Sequence, residues 1–342
     1  MKKTSFKNKS ILITGATGSF GKSFVKKLII EKYPFRRIII FSRDELKQFE
    51  MKTNTFFDDT KHKNLRYFIG DVRDKNRLLQ AFQDVDYVIH GAALKQVPTA
   101  EYNPFETINT NIIGAQNVIE AAFSTKVRKV IALSTDKASS PINLYGATKL
   151  CSDKLFTTAN NVSGFKNISF TVVRYGNVMG SRGSVIPYFL EQKKKGILTV
   201  TDKKMTRFNI TLPESANLVM WALENAYGSE ILVPKIPSYR ILDLAKSICT
   251  KCKIKITGVR PGEKINEEMI SFEESRNVVE LKKYFVLLQN GNDDQKKFYI
   301  KKLNGKVIKK QFSYRSDNNF EFLSNQQLKK LINKNIFKDK KD

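Results

Sequence analysis

Short apolar runs of strand length recur through the first half of this chain, with helical stretches between them, and that rhythm leaves few folds open. The runs are Ile11 to Thr14, Ile38 to Phe41, Arg66 to Ile69, Tyr87 to His90, Val130 to Ser134 and Phe170 to Arg174. Most are rich in β-branched or aromatic residues, as strands covered on both faces should be. Between the first two, Phe20, Phe24, Val25, Leu28 and Ile29 follow helical spacing, and Pro34 closes that helix. Alternating strand and helix signals predict an α/β protein built on a doubly wound parallel sheet. After about Gly180 the rhythm breaks into Gly- and Pro-rich pieces, through Arg182 to Pro187, Arg260-Pro261-Gly262-Glu263 and the polar stretch Asn290 to Gln295.

The expected organisation is a Rossmann-type domain over residues 1–180, with return segments around 205–250. Residues 181–342 then form mainly a smaller C-terminal substrate-binding lobe, closing over the carboxyl edge of the sheet, where such folds bind ligands. Ile231-Leu232-Val233 and a helix from about Leu242 are expected to rejoin the main sheet, and the last ten residues read as a frayed basic tail.

At 342 residues the chain can bury an ample core. The apolar stretch near its start, Ile11-Leu12-Ile13, is too short for a signal-peptide core or a membrane span. Cys151, Cys249 and Cys252 do not make a disulfide framework, so a cytoplasmic location is expected. Cys249 and Cys252 form a CxxC without a second pair, which argues against metal or redox use. The net charge of +27 is spread over scattered doublets such as Lys203-Lys204 and Lys309-Lys310. That pattern favours a solvated surface with some pull on anionic ligands, rather than a nucleic-acid partner or membrane insertion.

The turn Thr14-Gly15-Ala16-Thr17-Gly18-Ser19-Phe20-Gly21 joins the first strand to the first helix. Its glycines let the backbone approach a pyrophosphate, which rests on the helix N-terminus. Gly15, Thr17, Gly18, Ser19, Phe20 and Gly21 are therefore candidate cofactor contacts. The second strand ends in Phe41-Ser42-Arg43-Asp44. An acid there would bind the ribose diol of NAD, whereas an arginine can pair with a 2′-phosphate; Ser42 and Arg43 come before Asp44, so NADP is favoured. Small residues at His90-Gly91-Ala92-Ala93 let the backbone pass close beside the cofactor, and Lys95 could reach a phosphate or the substrate. Asn111 is expected to be structural, tying a helix to a neighbouring strand.

The chemistry is concentrated in Ser134-Thr135-Asp136-Lys137 and, eight residues on, Tyr145-Gly146-Ala147-Thr148-Lys149. Tyr145 and Lys149 lie one turn apart on the same helix face, where the lysine can lower the tyrosine's pKa and make the phenolate a base. A dehydrogenase needs only those two. Asp136 and Lys137 are a second acid/base pair, which suggests chemistry that continues after hydride transfer.

These pieces together resemble the extended short-chain dehydrogenase/reductases, and more narrowly the inverting UDP-N-acetylglucosamine 4,6-dehydratases. The likeness runs from Ile11 to roughly Met269, with a weaker echo near Phe312 to Asn319. It is carried by Ser42 to Lys47, Ala92 to Lys95, Leu133 to Lys149, Arg174 to Val178, Gly180 to Val185, Met205 to Phe208 and Arg260 to Lys264. The resemblance implies further cofactor contacts at Asp44, Lys47, Asp71 and Val72. It implies a substrate site made by Lys95, Asn177, Arg182, Val185, Arg260 and Glu263. A UDP-sugar substrate and a homo-oligomer, as large as a hexamer, are implied too. Its chemistry would run as follows. Tyr145 takes the O4 proton as C4 loses hydride, with Thr135 bonded to the same oxygen. Lys137, held neutral by burial and by Lys149, removes the C5 proton. A protonated Asp136 sends off the C6 hydroxyl as water.

Overall fold

The structure is a computed structural model and describes residues 3–162, 164, 167–289 and 293–337. The expected apolar runs form β1 (Ser10–Thr14), β2 (Arg37–Ser42), β3 (Leu65–Ile69), β4 (Tyr87–His90), β5 (Lys129–Thr135) and β6 (Ser169–Tyr175). Between them lie α1 (Ser19–Ile30), α2 (Glu45–Thr53), α3 (Lys75–Ala81), α4 (Val97–Tyr102), α5 (Pro104–Ile108), α6 (Gly114–Phe123) and α7 (Leu144–Ala159). The six strands pair in the order β3-β2-β1-β4-β5-β6, all parallel. Every residue of β1 is buried, consistent with helices on both faces. The order reverses between β1 and β4, the place where a crevice opens at the carboxyl ends of the strands.

The rest of the chain contributes to two bodies. The strand Ile231–Pro234 adds parallel to β6, as its apolar run leads one to expect. The antiparallel strands Tyr284–Leu287, Val278–Glu280 and Lys306–Val307 then complete a ten-stranded sheet. A long helix, Leu212–Asn225, packs on α1, β5 and β6. The helix expected from Leu242 runs Ile241–Ile248 and does not rejoin the main sheet. It packs instead on the helices Val185–Lys193 and Asn325–Ile332 and the strand Ile197–Val200. Its apolar Ile241, Leu244, Ala245 and Ile248 fill a second, smaller core with Phe189, Leu198 and Leu328. One amphipathic stripe can be satisfied by either core, so the pattern alone does not choose between them.

Two further expectations change. Cys249 and Cys252 are bonded to each other, with Cα atoms 5.5 Å apart. Of the expected basic tail, Asn333–Phe337 forms a π-helical turn, and residues 338–342 lie outside the described residues. Within the polar stretch at 290–295, Asp293 to Gln295 open a helix and 290–292 lie outside the described residues. Among the described residues no helix is long and apolar enough to cross a membrane.

Arg174, fully buried on β6, ties the sheet to α7 and to the C-terminal part. Its guanidinium donates to Asp153 on α7 at 3.2 Å, to Glu274 at 2.9 Å and to the Met269 carbonyl at 3.0 Å. Removing one partner of such a cluster leaves charge buried without compensation. Arg174→Ala should therefore cost about 3–5 kcal/mol, read as a lower urea midpoint than that of the parent protein.

Candidate active site

The carboxyl end of β5 delivers Thr135, Asp136 and Lys137 in succession, because the strand passes straight into a 3-10 turn over Asp136–Ala138. Asp136 is 1% exposed. Its Oδ1 accepts from the Thr135 hydroxyl at 3.0 Å and from Lys137 Nζ at 3.1 Å, while Oδ2 is buried without a hydrogen-bond partner. Burial raises the Asp136 carboxyl above the ordinary aspartate range, with Lys137 opposing it.

α7 is capped by Asn143, whose side chain accepts from Gly146 N–H at 2.8 Å and donates to the Gly262 carbonyl at 2.7 Å. The helix that carries Tyr145 and Lys149 is thereby tied to the 260–264 loop. Tyr145 is half-buried and hydrogen-bonded to Thr135. Burial pushes its pKa up to about 12, against the pull of Lys137 and the Thr135 bond. The expected lowering by Lys149 is not what the protein alone produces: the cation acting on the phenol is Lys137. Lys149 is itself buried, and that desolvation lowers it, with Asp153 opposing.

Lys137 also departs from expectation. Nζ lies 3.1 Å from Asp136 and 2.8 Å from Glu267, so it sits between two carboxylates. Desolvation works to lower it, but Asp136 and Glu267 together outweigh that and hold it above the ordinary lysine value. A resting neutral amine does not follow from burial when two acids share the pocket.

Glu267 has no counterpart in the sequence reading. It is 1% exposed, stands 3.6 Å from Arg207, and its Oε2 is buried with no partner. The backbone sets it in place: Glu267 N–H donates to the Ser316 hydroxyl at 2.9 Å, and Ser316 N–H donates back to the Glu267 carbonyl at 2.8 Å. Ser316 lies in the segment Phe312 to Asn319 that echoed the family, and this clamp is what that segment does here. The acid follows Arg260-Pro261-Gly262-Glu263-Lys264 closely in sequence, but no spacing signal links it to Lys137.

Of these groups Lys137 and Glu267 line a cavity of about 510 Å³, together with Asn177, Val185, Arg260 and Glu263 among others. Asn177 Oδ1 and Glu263 Oε2 are buried without partners, free for a polar ligand. Arg260 and Arg182 are exposed. Arg182 N–H donates to the Ser19 hydroxyl at 3.2 Å, and Lys95 Nζ donates to the Arg182 carbonyl at 3.2 Å, so this loop bridges to the glycine turn.

The glycine turn suits a dinucleotide. Gly15 has φ +68°, and a Cβ there would lie 2.9 Å from Ala92 N, so the β1 and β4 turns touch at the switch point. No side chain caps α1 at Gly18, leaving its first N–H groups for a phosphate. Phe20 and Gly21 lie in that first turn, Gly21 packed on the Ala16 backbone. Thr17 and Ser42, both buried, hydrogen-bond each other at 2.9 Å. Asp44 caps α2 and pairs with Lys47. Arg43 is 52% exposed and 3.6 Å from Asp71, which Arg73 also holds at 2.8 Å. Those two arginines outweigh the burial that would raise Asp71 and keep its carboxyl below the ordinary range. Val72 is buried beside Gly114. Asn111 bonds both backbone groups of Leu94 at 2.9 Å and also Thr148, tying the β4 loop to α7. The groups of three or more His, Cys, Asp or Glu that could hold a metal are lacking among the described residues.

Residues 11–289 match the family described as polysaccharide biosynthesis protein. The chain belongs to that family. It is 51% identical to an inverting UDP-N-acetylglucosamine 4,6-dehydratase of Campylobacter jejuni over 334 residues, which span 96% of this chain and 98% of the relative. A UDP-glucose 4-epimerase of Rickettsia bellii is 45% identical over 297 residues, 84% of this chain and 85% of its own. Among solved structures, Pen from Bacillus thuringiensis superposes with a TM-score of 0.86 at 40% identity, over 96% of this chain and 98% of that one.

Gly146 brings α7 against the turn that bears Lys137. A Cβ at this position would lie 2.2 Å from the Lys137 carbonyl oxygen. Gly146→Ala should cost about 1–3 kcal/mol of stability by overpacking, measured as a lowered urea midpoint.

Proposed function

We propose that this protein is an NADP-dependent UDP-N-acetylglucosamine 4,6-dehydratase that inverts C5. The observation that carries the reading is the Asp136–Lys137 pair, set on the turn beside Tyr145, with Lys137 open to the cavity. A 4-epimerase has work for Tyr145 and Lys149 but none for a second acid and base. The Campylobacter relative's name supports the same reading across nearly the whole chain.

Gly15 to Gly21, Arg43 and Lys47 would hold NADP, which when bound supplies the hydride acceptor and donor for the sugar. Arg43 and Lys47 are cations at the end of β2, while the Asp44 carboxyl is already engaged as a helix cap. This supports a 2′-phosphate rather than a free ribose diol. Arg260 suits the diphosphate, and Glu263 with its unpartnered Oε2 suits ribose hydroxyls. Tyr145, as phenolate, takes the proton from O4, and Thr135 holds the same oxygen. Lys137, once deprotonated, takes the C5 proton. Asp136, kept protonated by burial, gives its proton to the departing C6 hydroxyl. The product is a UDP-linked 2-acetamido-2,6-dideoxy-4-keto-hexose, suited to bacterial surface glycans or flagellin glycosylation. Exposed Tyr102 and Phe105 on α4 and α5, helices that pack on α7, support assembly into a homo-oligomer.

An NMR time course in D₂O with UDP-N-acetylglucosamine and NADP⁺ should show a new C6 methyl signal, a 4-keto product and deuterium at an inverted C5. Lys137→Ala should abolish the methyl signal. A galacto-configured product with its C6 hydroxyl intact would instead establish an epimerase. In the same assay Arg43→Ala should raise the KM for NADP⁺ by about tenfold and leave that for NAD⁺ little changed.

A further inference from the structure

A lysine that serves as base must first lose a proton, and Lys137 rests among groups that hold the proton on it. Among the described residues, the charged groups that face it are Asp136 from its own turn, Glu267 before the strand Glu268–Ile270, Arg207 from the strand Thr206–Ile210, and Lys264 from the loop between them. The phenols of Tyr145 and Tyr239 complete the ring. Arg207 leans on both Glu267, at 3.6 Å, and Glu263, at 3.8 Å. In the dehydratase reading Asp136 delivers its proton to the leaving hydroxyl, so the proton of Lys137 is assigned to the other acid in contact with Nζ. That acid is Glu267: Lys137 and Arg207 outweigh burial and keep its carboxyl low, hence ionised, it contacts Nζ at 2.8 Å, and its second oxygen is buried with no partner.

We propose that Glu267 is a positioning residue that holds Lys137 Nζ at the cavity wall and takes up the proton Lys137 must shed to act as a base. The inference rests on the dehydratase reading above. In the step, an N–H bond of the ammonium breaks as an O–H bond forms on Glu267, so the net charge of the pair is unchanged. The free amine then takes the C5 proton. The electrons of that C–H bond form the C5–C6 double bond as the C6 hydroxyl leaves with the proton of Asp136, as water. Because the proton stays within the pair, turnover needs no proton loss to solvent.

Two variants test this. In the parent enzyme kcat should change less than about threefold between about pH 7 and pH 9. Glu267→Gln keeps the shape but cannot accept the proton, so Lys137 must release it to water. Its kcat should fall by about 100-fold near pH 7 and climb about tenfold per pH unit, with KM within about threefold of the parent value. Glu267→Asp, which keeps a carboxylate and covers the case in which the Gln variant fails to fold, should be slower but flat with pH. A Gln profile parallel to that of the parent enzyme, a loss confined to KM, or an Asp variant that climbs with pH would overturn the role of Glu267. A parent enzyme that forms no 6-methyl product from UDP-N-acetylglucosamine would instead overturn the dehydratase reading itself.

Discussion

Burying an ammonium in the wall of a cavity is costly unless carboxylates surround it, and Lys137 has two within 3.1 Å. Asp136 comes from the turn just after β5, and Glu267 lies 131 residues further along the chain. The contact therefore joins the first half of the protein to the C-terminal part at the wall of the cavity. Arg207 adds a second cation, and Glu263 lies beside it. Each charge in this cluster is tolerable only because the others are present, so the cavity wall is set as a unit.

The sheet explains why the cluster lies where it does. Strand order reverses between β1 and β4, and the turns beyond those strands come together there, as the close approach of Gly15 to Ala92 shows. β5 and β6 continue the same edge, so Thr135, Asp136 and Lys137 emerge on the same side of the sheet as the glycine turn. The smaller core, with the helices Val185–Lys193, Ile241–Ile248 and Asn325–Ile332, supports the opposite wall of the cavity. Lys95 and Arg182 bridge the two sides.

Much of this was legible in the residues. Each of the first six strands fell where its apolar run lay; for those inside the sheet this is because a strand covered on both faces must be apolar at nearly every position, whereas β3 at the edge is partly exposed. Thr135, Asp136 and Lys137 were legible because the spacing to Tyr145 and Lys149 is local, set by one strand end and one helix. What escaped reading was non-local. Glu267 is one carboxylate among many until the fold brings it to Lys137. The helix from Ile241 has a clear apolar stripe, yet which core receives that stripe is decided by neighbours far away in the chain. The pairing of Cys249 with Cys252 likewise depends on how the backbone turns after that helix.

The sequence by itself determined the class of fold, the place of the glycine turn, and the local spacing of Thr135, Asp136, Lys137, Tyr145 and Lys149. These depend on periodicity and on spacings of a few residues, which the chain carries in its own order. Only the tertiary structure decided in which direction the pKa of each of those groups is pushed. Burial and opposing charge set a pKa, and both come from segments that sequence separation hides: desolvation raises Tyr145 and Asp136, while Glu267 and Asp136 keep the proton on Lys137.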